Sequence, residues 1–539
     1  MTDNQFVIFS GAYCSHEMCA EFGKIPPSFL PVSNGRLFEM QVNFAKKHSS
    51  NVVLTVPSSF NISSHDIEIL ENDNIRVVFV PDSLSLLQAV YFTLELLNNS
   101  FSTYILFGDT YIEYDKIINF DSIAYDKSYE YYNWSEVIVK DNNSLELSRQ
   151  FESSNFAKDV VCGLYAIKDL YLFRKLIPTI KTFDGLIEKY STLREVTLFK
   201  PTVWLDFGHL NTYYKSKKDL LVTRSFNNIE CDGYVITKSS TNISKLKAEA
   251  NWYLNLPNDL KCFCPQLISE EENLENQKYS YSVEYLYLSN LAELYLFAKL
   301  PYFFWEQVFE SCSKFLNIAK KNYDYSLMLG SVSPDEWYEQ IIHQKTKQRL
   351  KQFAKETNYD ITRNIKFNGD SFLSLKDLTN HLLSLVRKTE DKDMSFVHGD
   401  FFFGNILFDN TAKRIKLIDP RGMIDHEKFS VYGDIRYEIA KLTHSVVGKY
   451  DEIIADRGSF TINSNYDFVM NFHDEGLTQN IVDSFVNKDF LGYNVDSKEN
   501  YALTCLLFIS MLPLHNEDEQ RQKKFIANVY RLYSKFIKE

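Results

Sequence analysis

Short apolar runs alternate with amphipathic stretches over the first part of the chain. FVIFSGAY, LFEMQVNFAKK, NVVLTVP, IRVVFVP, LSLLQAVYFTLELL and TYILFGDTY follow one another. The compact apolar runs read as buried strands and the stretches with a 3.6-residue period read as helices. Strands alternating with helices predict an α/β unit, a mostly parallel, Rossmann-like sheet with crossover helices. In such sheets a ligand lies beyond the carboxyl ends of the strands. The loop from Gly11 to Pro31 and the turn at Gly108 and Asp109 both follow apolar strands and are expected there.

Near Asp206 the rhythm changes. After VWLDFGHLNTYYKSKKDL comes a β-rich piece, SFNNIECDGYVITKSS, and then a helical pattern, ISKLKAEANWYLNL, so a second domain is expected to begin near residue 222. From residue 290 onward the period is helical in ELYLFAKL, EQVFESCSKFLNIAKK and DEWYEQIIHQKTKQRLKQFAKE. A strand, loop and strand then appear at SFVHGDFFFGNILFDNTAKRIKLIDPRG. The expected organisation is a front domain over 1–222 and a rear domain over 223–539, the latter β-rich to 290 and helical over 291–539. No internal repeat and no Pro- or Gly-rich linker is visible.

Bulk properties narrow the functions. A chain of 539 residues exceeds the roughly 250 to 300 that one core serves, so two domains are expected, three at most. Apolar residues at 45% and charged residues at 24% leave ample material for packed cores. The net charge of −13 repels polyphosphate backbones and anionic headgroups, so nucleic acid is not an expected partner. A nucleotide still fits, because a few lysines and a metal ion outweigh a diffuse field at contact distance. The opening MTDNQFVIFSGAY lacks the pattern of an export signal. The longest apolar stretch, LTCLLFISMLPL from Leu503 to Leu514, is too short for a bilayer of about 30 Å and contains a proline. It reads as a buried helix in a cytoplasmic protein with no membrane insertion, while the oligomeric state stays open. Eight scattered cysteines read as reduced thiols. Cys14, His16 and Cys19, and the pair Cys262 and Cys264, lack a second ligand pair at zinc spacing, so packing is expected of them.

The chemistry is densest between His398 and Gly422. Phosphoryl transfer needs positioning of the acceptor hydroxyl and neutralisation of the phosphates, which a few acidic or amide groups supply. In HGDFFFGN, Asp400 and Asn405 lie five residues apart across a loop, followed by the strand NILF, and a second strand, RIKLID, ends in Asp419. A hairpin there brings the three side chains to one end. This segment resembles the aminoglycoside phosphotransferase and choline kinase family, whose loop reads His-Gly-Asp, four residues, Asn, and then Ile-Asp. The resemblance implies a bilobal, protein-kinase-like α+β rear domain, an ATP-dependent small-molecule kinase, with Asp400 as the base that orients or deprotonates the acceptor hydroxyl and Asn405 and Asp419 as Mg²⁺ ligands. Phe402 and Phe403 stand where that loop often has His-Pro. By the same resemblance Lys238, at the end of YVITK, grips the α- and β-phosphates and Glu249 pairs with it, against the reading of a surface Lys and an exposed helical Glu. SVEY, ending in Glu284 and Tyr285, is the expected hinge that reads adenine through backbone groups. Asp434 in YGDIRYEIAKL resembles a position supporting the catalytic loop, and helix capping suits it equally.

The front segment, over residues 5 to 215, resembles the nucleotidyltransferases that join a nucleoside triphosphate to a sugar phosphate or phosphocholine. The pieces that carry the likeness are SGAY around Gly11, KIPPSFLPVSNGRLFEMQV with a helix beginning near Leu37, LFGDTY with Asp109, and WLDFGHLNTY with Asp206. It implies that Gly11 approaches the triphosphate and that Asp109 and Asp206 hold Mg²⁺ for the reaction. Ser85 and Gln88 fall where the family contacts the base, or are exposed helix positions. The family loop carries further glycines, an Arg and a Pro-Lys pair, where this chain has AYCSHEMCAEFGK and Pro26-Pro27, so Lys24 is the candidate replacement cation. Together the two resemblances imply a bifunctional enzyme: ATP phosphorylates a small alcohol or sugar, and the product is coupled to CTP or UTP, giving an activated precursor for cell-surface (capsule) polysaccharide. A kinase with a silent front module, and a nucleotide-binding scaffold without turnover, are the alternatives.

Overall fold

The computed structural model describes residues 4–538 apart from 129–131, 133, 142, 150–156, 225–228, 274–276, 324–331, 426–427 and 473–475. The first four residues of the expected β-rich piece, 225–228, lie outside the described residues. The chain divides into two compact units, Met1–Leu220 with Phe297–Lys299, and Leu221–Leu296 with Leu300–Glu539.

In the front unit the apolar runs are the strands Asn4–Phe9, Val52–Pro57, Arg76–Val80 and Ser102–Phe107. All six residues of Val52–Pro57 are buried, as expected of a strand covered on both faces. These four are parallel, in the spatial order third, second, first, fourth. The order reverses between Asn4–Phe9 and Ser102–Phe107, which places the crevice beyond their carboxyl ends, beside Gly11 and Asp109. On the far side Lys158–Ile167 pairs antiparallel with Ser102–Phe107, so the sheet is mixed at that edge. The helix expected near Leu37 is Leu37–His48.

The rear unit begins with a four-stranded antiparallel sheet, Ile229–Cys231, Val235–Ser240, Lys278–Glu284 and Leu267–Asn273 in that spatial order. The helix Ile243–Leu254 packs on it. The remainder is largely helical around Lys498–Met511, whose residues from Asn500 to Met511 are all buried. No helix among the described residues is long and apolar enough to cross a membrane.

Two features of this lobe go beyond its helical period. A second antiparallel pair, Asn364–Phe367 with Asp370–Ser374, turns at Asn368 and Gly369, both at positive φ (49° and 91°). Asn-Gly is the residue pair that such a two-residue turn favours. The stretch DEWYEQIIHQKTKQRLKQFAKE is not one regular helix either. A π-helical segment, Tyr338–Gln344, lies between the α-helical turns Pro334–Trp337 and Lys345–Thr357.

Candidate active sites

The candidate catalytic segment of the rear unit is built on a short hairpin. Ile406–Asp409 pairs antiparallel with Arg414–Leu417, with Ile406 opposite Leu417. Ile406, Phe408, Ile415 and Leu417 are buried, which anchors it to the core. Ile418 N donates to Asn405 O at 3.1 Å, so Asn405 and Asp419 leave the hairpin at the same end. Asp419 has φ 58°, a left-handed conformation uncommon for a residue with a Cβ and concentrated at functional sites.

The loop before the hairpin is clamped from behind. The backbone N–H groups of His398 and Gly399 donate to the two carboxyl oxygens of Glu438, each at 2.9 Å. Burial raises the Glu438 carboxyl to about 7 despite those two donors. His398 is buried, its Nε2 lies 2.9 Å from Ile418 O, and burial holds its imidazole down at about 4. Arg421 N closes the turn on His398 O at 2.9 Å. Gly399 is at φ 80°, and a Cβ there would stand 2.8 Å from Arg421 Cβ, so this crossing requires glycine.

Asp400, Asn405 and Asp419 line one cavity of about 510 Å³, with Lys238 and Glu249 on its wall. Asn405 Nδ2 donates to Asp400 Oδ2 at 3.0 Å, and Lys441 Nζ stands 2.7 Å from Asp400 Oδ1. Burial pushes the Asp400 carboxyl up, but the charges of Lys441 and Arg421 outweigh it and hold the group at about 2. Asp400 is therefore an ionised hydrogen-bond acceptor at neutral pH. Lys238 lies between two carboxylates, 3.8 Å from Glu249 Oε2 and paired with Asp419 Oδ1. Glu249 is buried and accepts from Tyr281 O–H at 2.7 Å. Burial raises its carboxyl although Lys238 pulls it the other way. The pair is thus not a surface lysine with an exposed glutamate. Asp434 caps the helix Ile435–Val446, accepting from Arg436 N at 2.9 Å, and also accepts from Thr389 O–H at 2.7 Å.

The expected hinge, SVEY, lies at the end of the strand Lys278–Glu284. Glu284 N donates to Gln266 O at 2.9 Å and Tyr285 N to Tyr234 O at 2.8 Å, so both backbone donors are committed within the small sheet. Neither residue lines the cavity. Sequence reasoning also passed over Lys441, Arg421 and Glu438, and with them Lys345 and Arg349, which line the same cavity from a distant helix. The spacing Asp434, Glu438, Lys441 puts the last two on one helical face. Nothing in the sequence ties that face to Asp400.

In the front unit, Asp109 follows Ser102–Phe107, and Asp206 ends the strand Val203–Asp206, which pairs with Thr110–Glu113 so that Asp206 faces Thr110. Phe207 N donates to Asp109 O at 2.7 Å, and a Cβ on Gly208 would come within 2.8 Å of Asp109 Oδ2. Burial and the neighbouring Asp206 charge raise the Asp109 carboxyl to about 6. Among the described residues neither Asp109 nor Asp206 has a Lys or Arg within ion-pair distance. Asp206 has His209 Nδ1 at 3.6 Å, and Thr212 O–H donates to it at 2.5 Å. Two hard oxygen donors that repel each other suit a divalent cation. Among the described residues no cluster of three or more His, Cys, Asp and Glu side chains is arranged for a metal. Mg²⁺ needs only one or two carboxylates, with water and phosphate completing its shell, and Asp109 and Asp206 could supply them. The eight cysteines are free thiols.

The other front candidates lie in several places. Gly11 packs closely, a Cβ there standing 3.0 Å from Val80 Cγ2, while Ser10 N donates to Thr55 Oγ1 at 2.8 Å. Lys24 is exposed, with its ammonium 4.2 Å from the centre of the Tyr13 ring. Ser85 and Gln88 are exposed and form a reciprocal capping box at the helix Leu86–Glu95.

Comparison with known proteins bears on both units. Residues 335–466 match the family model of the phosphotransferase enzyme family, APH. The match includes the catalytic loop, Asp419 and Asp434. Solved structures similar to the rear part include the GDP and kanamycin complex of APH(2")-IIia, 12% identical, covering 60% of this chain and 98% of that one, with a TM-score of 0.34. For the front part they include UTP-bound UGPase from Acinetobacter baumannii, 13% identical over 41% of this chain and 95% of that one, TM-score 0.33. The inositol-1-phosphate CTP transferase from T. maritima is 12% identical over 41% and 97%, TM-score 0.31. No curated protein matches the sequence. The family match thus falls within the rear unit and covers the loop from His398, Asp419 and Asp434.

Proposed function

We propose that the chain is a bifunctional enzyme whose rear unit phosphorylates a small alcohol or sugar with ATP, and whose front unit couples the product to CTP or UTP with release of pyrophosphate. The observation that carries the reading is the shared cavity of Asp400, Asn405, Asp419, Lys238 and Glu249. The domain limits belong to the same reading: 1–222 in front, a small lobe over 223–290 and a helical large lobe over 291–539.

Asp400, held ionised by Lys441, accepts a hydrogen bond from the acceptor hydroxyl and aims its oxygen at the γ-phosphate of ATP. A carboxylate titrating near 2 is a weak base, so orientation, rather than early deprotonation, is its contribution. Lys238 turns from Asp419 to the α- and β-phosphates while Glu249 keeps its ammonium in place. Mg²⁺ held by Asn405 and Asp419, and in the front unit by Asp109 and Asp206, would neutralise phosphate charge at each centre. In front, Gly11 and the loop after it lie where a triphosphate approaches, with Lys24 and Ser85 as the further contacts proposed. The order of steps follows from chemistry, since the kinase makes the phosphate ester that the nucleotidyltransferase consumes. Joining the units raises the local concentration of that intermediate. A nucleotide-activated product of this type feeds cell-surface polysaccharide assembly, and ATP and CTP or UTP are cytoplasmic substrates.

The reading with a silent front unit draws on one observation: Lys24 rests over Tyr13 rather than beside Asp109. Incubating the purified chain with Mg²⁺, ATP, CTP or UTP and a panel of alcohols and sugars separates the readings by mass spectrometry. ADP together with pyrophosphate supports the bifunctional enzyme, ADP alone supports the silent front unit, and neither product leaves a scaffold.

A further inference from the structure

The cavity beyond Asp400 carries an unusual charge balance. Lys345 and Arg349 lie four residues apart on the helix Lys345–Thr357, hence on one face, and both line the cavity. Arg421 and Lys441 join them. Lys441 is paired with Asp400. Among the described residues the other three have no carboxylate within ion-pair distance. Arg349 Nη1 donates to Ser510 O at 2.9 Å, and Arg421 Nη2 donates to the Tyr437 hydroxyl oxygen at 2.9 Å. Lys345 has neither a hydrogen bond nor an ion pair among the described residues. Burial, then the charges of Arg421, Arg349 and Lys441, push its ammonium well below the usual lysine range. Asp425, also on the wall, is turned to its own loop, accepting from Lys428 N at 2.9 Å. A half-buried cluster of like charges opposes folding unless a ligand of opposite sign uses it.

We infer that the acceptor phosphorylated at Asp400 carries an anionic group, a carboxylate or a phosphate ester, held by Lys345, Arg349 and Arg421. A polycationic or quaternary-ammonium acceptor would meet three basic side chains there that have no carboxylate within ion-pair distance among the described residues. The inference rests on the kinase reading given above and adds the charge of the acceptor to it. The transfer itself is balanced: the acceptor oxygen bonds to the γ-phosphorus, the bond to the β-bridging oxygen breaks, ADP leaves with that electron pair, and the hydroxyl proton is lost to solvent.

The test uses the full chain with Mg²⁺, ATP and four acceptors of similar size: D-glycerate, glycerol 3-phosphate, glycerol and choline. ADP release is expected to show kcat/KM at least about tenfold higher for one of the two anions than for glycerol or choline. The better anion distinguishes a carboxylate from a phosphate ester. Lys345→Met and Arg349→Met are expected to raise the KM for that anion about tenfold or more, the scale of a lost charge-assisted contact, and to change the KM for ATP by less than about twofold. The Tm of Lys345→Met should equal or exceed that of the native chain, because it deletes a half-buried basic group with no ion-pair partner among the described residues. Preference for glycerol or choline, or a rise in the KM for ATP instead of the acceptor, overturns the inference. Where none of the four turns over, calorimetry with a non-hydrolysable ATP analogue and Mg²⁺ decides. If the analogue binds and neither anion binds after it, the anionic acceptor is wrong; if the analogue does not bind, the kinase reading itself fails.

Discussion

Asp109 shows how one carboxylate ties chemistry to pH. Its titration near 6, set by burial and by Asp206, means the folded state keeps a proton that the unfolded chain releases near 4. Stability of the front unit therefore falls as pH rises from about 4 to about 6 and is flat above, the opposite of a salt-bridged aspartate. A divalent cation reverses this, since it binds only the ionised form. Pyrophosphate release should thus have an acid limb near pH 6 that moves to lower pH as Mg²⁺ is raised, measured as initial rates at several Mg²⁺ concentrations. An acid limb independent of Mg²⁺ would separate Asp109 from the metal. Gly422 makes a steric case at the other centre. It is at φ 62°, and a Cβ there would lie 2.0 Å from Ala248 O, in the helix that carries Glu249. Gly422→Ala should lower stability by about 2 kcal/mol or more and reduce ADP formation, because the helix must retreat with Glu249. Urea unfolding and a kinase assay on the same preparation check both.

Among elements, the decisive contact is the helix Ile435–Val446 against the catalytic loop. Glu438 takes the N–H groups of His398 and Gly399 on its two oxygens, and Lys441, one turn on, takes Asp400. Glu438→Gln leaves only one acceptor for two buried donors. It should cost about 1 to 3 kcal/mol and slow ADP release, while a carboxylate titration visible by NMR near pH 7 disappears. This element also marks where the sequence stopped being readable. The hairpin from Asn405 to Asp419 could be read because loop and strands are contiguous and every chemical group sits at a fixed spacing. Lys238 and Glu249 could be read because a strand and the next helix adjoin. Glu438, Lys441, Arg421, Lys345 and Arg349 could not, since packing alone brings their segments to one cavity. The amides of Glu284 and Tyr285 were unreadable for a related reason: which strand amides are already bonded depends on neighbours such as Gln266 and Tyr234, which a linear pattern does not reveal.

For the molecule as a whole, the front α/β alternation announced its four parallel strands, while the return of Phe297–Lys299 to the front unit had no counterpart in the sequence pattern. The antiparallel edge at Lys158–Ile167 was not announced, because a buried strand looks the same in either direction. In the proposed reading, two separate centres make a separable pair of activities. Asp400→Asn should reduce ADP formation by at least about a hundredfold, leaving pyrophosphate release from a supplied phosphorylated substrate intact, and Asp109→Ala should do the reverse. Asp400→Asn also leaves Lys441 without its counter-charge, so its Tm should fall while the fold persists. Loss of both activities in a folded single variant would contradict independent sites.

The π-helical segment Tyr338–Gln344 sits just ahead of Lys345 and Arg349. A π turn accommodates one residue more than an α turn, and each residue advances an α-helix by about 100°. The extra residue is absorbed within that segment, so deleting one residue there would restore ordinary winding and keep Lys345 and Arg349 in register, whereas deleting one between the segment and Arg349 would turn Arg349 by about 100°. On the inference of an anionic acceptor, the second deletion would weaken its grip while leaving Asp400, Asn405 and Asp419 in place, so the π segment keeps acceptor choice and phosphoryl transfer on separate stretches of chain.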